Sequence, residues 1–417
     1  MFAEIIAVGS ELLTPHRQDT NSLYLTSVLN DLGVAVAFKT IVGDHREHLT
    51  SAIQIALSRA DILLFSGGLG PTEDDLTREC VAQALQLPLY RNPELLETLR
   101  QRFAARNLPM TENNHHQADQ IQGATILPNR NGSAPGQWLD ILYNGHRRLI
   151  ALLPGPPTEL QPLFAAECKP RLAAALPPSH LARRQLRMTL IPESLVDARC
   201  APIYKTFSDV ETTILAGNAE IQLHFSCIKP TRDEAEARVE AAADAVSREM
   251  GDDVFSSGGE SLEEILLLML GVRHHTLAVA ESCTGGLIGK RLTSIPNSSR
   301  VFLGGAVAYS NRSKTALADV PAYLIDEHGA VSEAVARALA EGIRRRIGSS
   351  LALSVTGIAG PAAPRGPDSQ KPVGLVYVAL TDGKDTQVKE LNIRGDRERI
   401  RIWAAQHALE MLRRRLL

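Results

Sequence analysis

Short apolar runs alternate with amphipathic stretches along the first part of the chain. The apolar runs have the length and β-branched content of buried strands and cover residues 4–9, 34–42, 61–66 and 149–153. Between the first three runs, and after the third, apolar positions repeat with a helical period at residues 20–32, 48–59 and 73–85. Strands that alternate with helices in this way predict a parallel sheet covered by helices on both faces. We therefore expect an α/β domain over residues 1–167.

The middle of the chain has a different order of elements. Strand-like runs at 185–191, 210–216 and 219–228 combine with helical patterns at 193–204 and 233–250. This β-α-β-β-α order predicts a small α+β domain over residues 168–252. Its outline resembles small RNA-binding folds, but it lacks the G-x-x-G loop that clamps a nucleic-acid backbone. A spacer or dimerisation domain is therefore the favoured interpretation.

The α/β alternation resumes after residues 251–260, a stretch rich in glycine, serine and aspartate that predicts a linker. Helical patterns then lie at 262–270, 285–293, 333–347 and 396–417. Strand-like runs lie at 276–280, 304–309, 351–356, 373–380 and 387–393, the last as an edge strand. The predicted fold is thus two three-layer α/β domains, residues 1–167 and 253–417, joined by the small α+β domain.

Composition and charge narrow the function classes. The 417 residues include 44 basic and 47 acidic side chains, which give a formal net charge of −3. A dedicated nucleic-acid binder is usually strongly basic, so nucleic acid is not the expected partner. The five cysteines are widely spaced without a C-x-x-C pair, which argues against a disulfide framework. No apolar run reaches the ~20 residues of a membrane span, so we expect a cytoplasmic chain without a membrane partner.

A glycine-rich loop follows the predicted strand 61–66. Gly67, Gly68 and Gly70 let the backbone approach a ligand closely, and a helix predicted from residue 73 would offer free N–H groups to a phosphate. Asp74 and Asp75 fall in its first predicted turn, where they suit a divalent metal that bridges phosphate oxygens. The structural alternative is that the glycines make a tight turn and the aspartates cap a helix.

A serine follows another predicted strand, 276–280. Ser282 is expected at the start of the helix 285–293, where the positive end of the helix dipole suits an oxyanion hole. A serine needs a base, and Lys314 follows the strand 304–309 at the same expected edge of the sheet. A desolvated, neutral lysine accepts a proton from such a serine. Tyr309 is expected to relay a proton or orient Lys314.

Blander interpretations of this second site stay open. Serine is a common helix cap, and a lysine after a strand is usually solvated. Cys283 is a rival nucleophile, although no His or Asn partner is close to it in the sequence. The twelve histidines include no pair with the spacing of a zinc motif.

The loop at residues 67–77, GGLGPTEDDLT, resembles the GGxGPTxDDxT signature of the molybdopterin-binding-like domain of the CinA family. Residues 9–13 with 19–21, residues 131–136 and residues 153–159 resemble its other loops. Residues 14–17 depart from the family, which usually has a glycine there, and His116 stands where a lysine is expected. The resemblance implies that this domain hydrolyses ADP-ribose at its pyrophosphate with a divalent metal.

The same resemblance assigns roles to residues of this loop and its neighbours. It implies Asp75 as the main metal ligand, with Asp44 as a second candidate and Asp74 as a weaker one. The residues that it implies for substrate binding are Gly67, Gly68, Gly70 and Thr72. Within the family such a domain also suggests an alternative, a protein that binds a molybdopterin-type ligand without turnover.

Five blocks of the last 150 residues are similar to the CinA C-terminal domain, a nicotinamide mononucleotide (NMN) amidohydrolase. They are AESCTGG at 280–286, YSNRSK at 309–314, GAVSE at 329–333, TGIAGP at 356–361 and KPVG at 371–374. The similarity implies hydrolysis of the NMN carboxamide to nicotinate mononucleotide and ammonia, without a cofactor. Ser282 is then the nucleophile, Lys314 the base and Tyr309 its partner.

The substrate-binding residues that this similarity implies lie in the same blocks and in a later arginine. They are Thr284, Gly285, Gly286, Asn311, Gly357, Gly360 and Arg397, and Arg397 is expected to hold the NMN phosphate as a bidentate fork. Residues 361–372 are interpreted as a mobile flap. The family also suggests a homodimer, and its name leaves a non-enzymatic alternative, a competence-associated partner protein.

Overall fold

The computed structural model describes residues 1–217, 219–361 and 366–417. The chain forms two compact units. Unit 1 comprises residues 1–182 and 228–235, and unit 2 comprises residues 183–227 and 236–417. The three-part division at residues 167 and 252 remains a prediction. The predicted flap at 361–372 lies partly outside the described residues, because 362–365 are not among them.

Unit 1 is built on a six-stranded mixed sheet in the order β2-β1-β3-β8-β7-β6. The strands, in chain order, are β1 Phe2–Val8, β2 Ala35–Val42, β3 Ile62–Ser66, β4 Leu89–Arg91, β5 Asp119–Ile121, β6 Thr125–Leu127, β7 Gly136–Tyr143 and β8 His146–Leu153. The helices are α1 Thr20–Asp31, α2 Arg46–Arg59, α3 Thr77–Leu85, α4 Pro93–Ala105, α5 Pro157–Leu163 and α6 Lys169–Ala175. Strands β4 and β5 pair separately.

Two apolar cores cover the two faces of this sheet. One core packs α2 and α3 against the sheet through residues such as Ile53 and Val81, and the other packs α1 and α5 through Leu25 and Leu160. Strand β3 is buried along its whole length because helices cover both of its faces. The predicted three-layer arrangement is therefore confirmed. The sheet is mixed rather than parallel, because β7 runs antiparallel to both β8 and β6.

Unit 2 contains a four-stranded sheet, β10-β11-β9-β12, and a five-stranded sheet, β14-β13-β15-β16-β17. Its strands are β9 His180–Thr189, which begins in unit 1, β10 Glu211–Gly217, β11 Glu220–Lys229, β12 Val254–Ser256, β13 Leu277–Glu281, β14 Phe302–Val307, β15 Leu351–Gly357, β16 Leu375–Thr381 and β17 Thr386–Asn392. Its helices are α7 Glu193–Tyr204, α8 Arg232–Met250, α9 Leu262–Val272, α10 Leu287–Thr293, α11 Asn311–Ala318, α12 Ala322–His328, α13 Glu333–Ile347 and α14 Arg397–Leu416.

The five-stranded sheet is also sandwiched between helices. Helices α9, α10 and α14 pack on one face through residues such as Leu266 and Leu409, and α11, α12 and α13 pack on the other through Ile325 and Leu339. Strands β13, β14 and β15 are parallel, whereas β16 and β17 are antiparallel. Strand β17 lies at the edge, as predicted. The carboxyl ends of β13 and β14 therefore lie next to each other.

Three boundaries predicted from the sequence are wrong. The helix predicted from residue 73 begins at Thr77, so Asp74 and Asp75 precede it rather than form its first turn. The helix predicted from residue 285 begins at Leu287, because Gly285 and Gly286 adopt φ values of +60° and +91° that a helix does not use. The predicted linker 251–260 contains β12, which pairs with β9 at the edge of the four-stranded sheet. Phe255 of this strand packs into the apolar core against the five-stranded sheet.

In the described ranges, no helix combines the length and the apolar character needed to cross a membrane.

Candidate active site

Ser282 lies directly after β13, at the carboxyl end of that strand. Its main-chain N–H donates to the carbonyl of Val355 in β15 at 2.9 Å, which extends the sheet pairing by one residue. The residue is 6% exposed. The serine hydroxyl is therefore fixed at the sheet edge by backbone pairing rather than by a mobile loop.

Lys314 reaches this serine from helix α11. Its Nζ is hydrogen-bonded to Ser282 Oγ at 3.0 Å and donates to the carbonyls of Ala308 and Tyr309 at 3.1 and 3.3 Å. The helix begins at Asn311 because the Ser310 hydroxyl accepts a hydrogen bond from the backbone of the first turn. The predicted Ser–Lys pair is thus in hydrogen-bond contact.

The environment of Lys314 disfavours its charge. The residue is 2% exposed, and no carboxylate forms an ion pair with it in the described part of the chain. Burial lowers the pKa of the Lys314 ammonium, and the opposing electrostatic effects of Cys283 and Asp368 are smaller. A neutral amine of this kind has a lone pair with which to accept the serine proton.

Glu281 organises the turn after Ser282 and was missed by the sequence analysis. Its carboxylate is 2% exposed and accepts hydrogen bonds from the N–H groups of Gly286, Ile288 and Gly289 at 3.0, 3.1 and 2.8 Å. The first-turn donors of α10 are therefore satisfied by Glu281. The signal available in the sequence was an acidic residue at the end of an otherwise apolar strand.

The predicted donors of the turn are already engaged within the protein. Gly286 donates to Glu281, and Gly285 donates to the carbonyl of Ser282 at 3.0 Å. Thr284 is fully buried, and its hydroxyl has no hydrogen-bond partner among the described residues. Its carbonyl accepts a hydrogen bond from Arg401 of α14 at 3.0 Å. The substrate contacts of these three residues remain predictions.

Tyr309 and Arg397 are in contact with each other. The guanidinium of Arg397 donates to the Tyr309 hydroxyl at 3.0 Å and to the carbonyl of Gly360 at 2.7 Å. Both side chains are exposed, whereas Lys314 is held by the carbonyl of Tyr309 and not by its ring. Asn311 is exposed at the start of α11. The structure thus places Arg397, predicted to bind the phosphate, in contact with Tyr309, predicted to assist Lys314.

Cys283 is not available as a thiolate. It is 5% exposed, and burial raises the pKa of its thiol to about 12. Gly357 ends β15 beside it, and a Cβ at this glycine would lie 3.0 Å from the Cys283 sulfur and 2.6 Å from a methyl of Val376. Gly357 is therefore required for packing, and its contact with a ligand remains a prediction.

The predicted loops of unit 1 meet in one cleft of about 380 Å³. It lies at the carboxyl ends of β1, β2 and β3, where ligands of open α/β sheets bind. The residues predicted for this site all line it, and they are Asp44, Gly67, Gly68, Gly70, Thr72, Asp74 and Asp75. The loops that begin at Gly9, Asn131 and Leu153 contribute to the same lining.

Local hydrogen bonds hold the aspartates of this cleft. Asp75 accepts from the N–H and the hydroxyl of Thr72 at 2.9 and 2.5 Å, so the turn closes on itself before α3. Asp44 accepts from the N–H of Ser10 at 2.7 Å. Residues 14–17 depart from the family pattern, and the first of them, Thr14, donates a hydrogen bond from its hydroxyl to the carbonyl of Glu11 at 2.7 Å. Glu11 remains in the cleft lining.

The cleft is acidic. Its lining contains five carboxylates and, among the described residues, no basic side chain; the carboxylates belong to Glu11, Asp44, Asp74, Asp75 and Glu159. No three His, Cys, Asp or Glu side chains of the described chain are close enough to hold a metal by themselves. This donor set fits a hard cation such as Mg²⁺, which typically takes one or two carboxylates and completes its shell with water and phosphate oxygens.

Arg78 lies beneath the glycine loop and was also missed. It is 3% exposed and donates to the carbonyl of Leu69 at 2.8 Å. Burial lowers the pKa of its guanidinium to about 10, although the charges of Asp75 and Asp119 oppose the shift. It forms no ion pair in the described part of the chain. The loop that lines an acidic cleft therefore rests on a buried cation.

Both halves of the chain match known families. The CinA C-terminal domain matches residues 259–416, and the domain described as "Probable molybdopterin binding domain" matches residues 4–174. The fold and these matches define a multidomain α/β protein that combines the two domain types.

The relatives match over the whole length. A "CinA-like protein" of Acidobacterium capsulatum is 57% identical over 417 residues, and one of Koribacter versatilis is 53% identical, each with 100% of both chains covered. The chain therefore belongs to the CinA-like protein family. A solved structure, competence/damage inducible protein CihA from Agrobacterium tumefaciens, is 35% identical over 37% of this chain and 92% of that one, with a TM-score of 0.35.

Proposed function

We propose that unit 2 hydrolyses the carboxamide of NMN to nicotinate mononucleotide and ammonia. The observation that carries the proposal is the 3.0 Å hydrogen bond between the Lys314 Nζ and the Ser282 Oγ in a buried environment. Burial lowers the pKa of the Lys314 ammonium, which favours the neutral base that this chemistry needs. The resemblance to the CinA C-terminal domain is the reason for proposing NMN as the substrate.

The proposed reaction has two halves. Lys314 accepts the Ser282 proton while Oγ bonds to the carboxamide carbon, and the C–O electron pair moves onto the oxygen of a tetrahedral intermediate. That intermediate collapses, Lys314 returns the proton to the leaving nitrogen, and ammonia departs from an ester on Ser282. Water then attacks the ester with Lys314 as base, which releases the carboxylate and restores the serine.

Arg397 is proposed to bind the phosphate of NMN. Its guanidinium is exposed, and among the residues that the structure describes its hydrogen-bond acceptors are the Tyr309 hydroxyl and the Gly360 carbonyl, both neutral. A phosphate oxygen is a stronger acceptor than either because it is charged. Substrate binding would then exchange these bonds for phosphate bonds and free the hydroxyl of Tyr309.

The test is ammonia release from NMN by the purified chain, with Ser282→Ala and Cys283→Ala side by side. The proposal expects turnover in the parent and in Cys283→Ala and none in Ser282→Ala. Turnover that survives Ser282→Ala removes Ser282 as the nucleophile. Absence of turnover in the parent removes the amidase and favours the competence-associated partner protein.

A second proposal concerns unit 1, namely metal-dependent hydrolysis of ADP-ribose at its pyrophosphate. The supporting observation is the charge of the cleft, since five carboxylates repel a pyrophosphate unless a cation lies between them. Asp75 and Asp44 would hold a divalent metal, with Asp74 as an additional ligand. Bound there, such a metal would supply charge neutralisation at the phosphates and a position for the attacking water.

Release of AMP from ADP-ribose, with and without Mg²⁺, tests this second proposal. We expect turnover that requires the metal and is lost in Asp75→Asn. Binding of a pterin without turnover of ADP-ribose would instead support the molybdopterin-type alternative. The predicted homodimer and the predicted cytoplasmic location remain predictions.

A further inference from the structure

The cleft of unit 1 also contains a neutral polar side chain that its proposed chemistry does not use. Gln117 precedes β5 and lines the cleft together with Ser133. It is 1% exposed, and its Nε2 donates to the Ser133 hydroxyl at 3.1 Å. Its Oε1 has no hydrogen-bond partner in the part of the chain that the structure describes.

An amide oxygen without a partner is costly in this position. A buried acceptor that gives up water without gaining a donor loses roughly 1–3 kcal/mol. Two neighbouring buried glutamines avoid that loss. Gln120 accepts from Asn92 at 2.6 Å and donates to Ala124, and Gln137 accepts from Ile121 at 3.0 Å and donates to Asp119. Gln117 differs from both in that it lines the cleft.

We propose that Gln117 determines which nucleotide unit 1 binds, because its Oε1 accepts a hydrogen bond from an N–H or O–H donor of the ligand. The inference rests on the second proposed function. The second proposed function assigns Asp44, Asp74 and Asp75 to the metal, which leaves Gln117 as a buried neutral acceptor of the cleft. The donor on the ligand is the amino group of adenine or a hydroxyl of its ribose, which are the donors that ADP offers beyond its phosphates.

Binding of three nucleotides in the presence of Mg²⁺ tests this inference by titration calorimetry. The probes are ADP, inosine diphosphate, which carries a carbonyl in place of the adenine amine, and 2′,3′-dideoxy-ADP, which lacks both ribose hydroxyls. Gln117→Leu is compared with the parent and with Gln120→Leu, a matched removal of a buried amide outside the cleft. Circular dichroism verifies that each variant is folded.

We expect Gln117→Leu to weaken ADP binding by about three- to tenfold, the value of one hydrogen bond. The loss should disappear with inosine diphosphate if the amine is the donor, and with 2′,3′-dideoxy-ADP if a ribose hydroxyl is. Gln120→Leu should bind ADP as the parent does.

Two outcomes overturn the inference alone: no loss in Gln117→Leu, or an equal loss with all three nucleotides, which shows a structural role. A parent chain that binds none of the three nucleotides overturns the second proposed function, and the inference with it.

Discussion

The two candidate sites solve the problem of charge in opposite ways. In unit 2 a buried lysine contacts a buried serine, and its partners are neutral carbonyls and hydroxyls. In unit 1 five carboxylates line one cleft, and its nearby cation, Arg78, is buried beneath the loop. The first arrangement supports the proposal of a nucleophile and a base that both belong to the protein. The second supports the proposal that a cation from solution is required before an anionic ligand binds.

The difference shows what a motif can and cannot establish. Both sites lie at the carboxyl ends of strands in three-layer folds, where backbone geometry favours ligands. In unit 2 the two proposed reacting side chains, Ser282 and Lys314, contact each other, whereas the aspartates of unit 1 contact neighbouring loop residues. A chelator and a set of point substitutions therefore separate the two sites experimentally.

The largest effect is expected at the base. Lys314→Met should lower kcat/KM for NMN by about a thousandfold, the scale of general base catalysis. Lys314→Arg should be equally inactive, because a guanidinium keeps its proton in proteins. Ammonia release measures both. Activity in Lys314→Arg would show that the site needs a cation rather than a base, and the contrast with unit 1 would fail.

Metal removal should affect only unit 1. A chelator should lower the rate of ADP-ribose hydrolysis by about a hundredfold or more, because a divalent metal stabilises the charged transition state by several kcal/mol. NMN deamidation in the same sample should not change. Loss of both activities on chelation would contradict the assignment of a metal-free site to unit 2.

Removing the charge of Glu281 should damage the turn that carries Ser282. Glu281→Gln leaves one oxygen for three N–H donors, so we expect the free energy of unfolding to fall by about 2–3 kcal/mol. Glu264→Gln, which alters the exposed capping box of α9, is the matched control and should cost less. Denaturant unfolding gives both values. Equal losses would show that Glu281 is an ordinary cap.

The stability of the parent should depend on pH through Lys314. Its folded pKa is below the ordinary value of 10.5, so the unfolded state binds more protons between these two pKa values. Across that pH window, the free energy of unfolding of the parent should therefore rise more steeply with pH than that of Lys314→Met. Thermal unfolding at several pH values measures the difference. A parallel pH dependence of the two proteins would contradict a buried lysine with a lowered pKa.

The smallest effect is expected at Cys283. Burial raises the pKa of its thiol to about 12, so the thiolate is scarce near neutrality. Cys283→Ala should change kcat/KM for NMN by less than about threefold, since it removes only a small buried side chain. Alkylation of the native chain near neutral pH should leave Cys283 unmodified. Rapid alkylation of Cys283 near neutral pH would make this thiol a rival nucleophile to Ser282.

Much of the fold follows from local patterns. Helices α1, α7 and α13 have clear ends, and their predicted bounds match the structure closely. Within residues 86–148 of unit 1, helix α4 and strands β4 to β7 were not predicted, and β4, β5 and β6 are only three residues long each. The start of α10 was misplaced because Gly285 and Gly286 adopt left-handed backbone conformations, and the start of α3 because Asp75 closes a turn onto Thr72.

The candidate sites were less predictable than the fold. Ser282 and Lys314 could be paired because parallel strands end at one edge of a sheet. The side chains of Glu281, Arg401 and Arg78 form hydrogen bonds with main-chain groups of other residues. Such contacts do not produce a recognisable motif in the sequence. The orphaned oxygen of Gln117 is visible only once its neighbours are placed.

The pH dependence of NMN deamidation tests the central claim most directly. If Lys314 is the neutral base of Ser282, kcat/KM rises with pH through one deprotonation whose apparent pKa lies below the ordinary lysine value of 10.5. A rate that falls as pH rises through that range would show that the protonated lysine is the active form. That result would contradict the account.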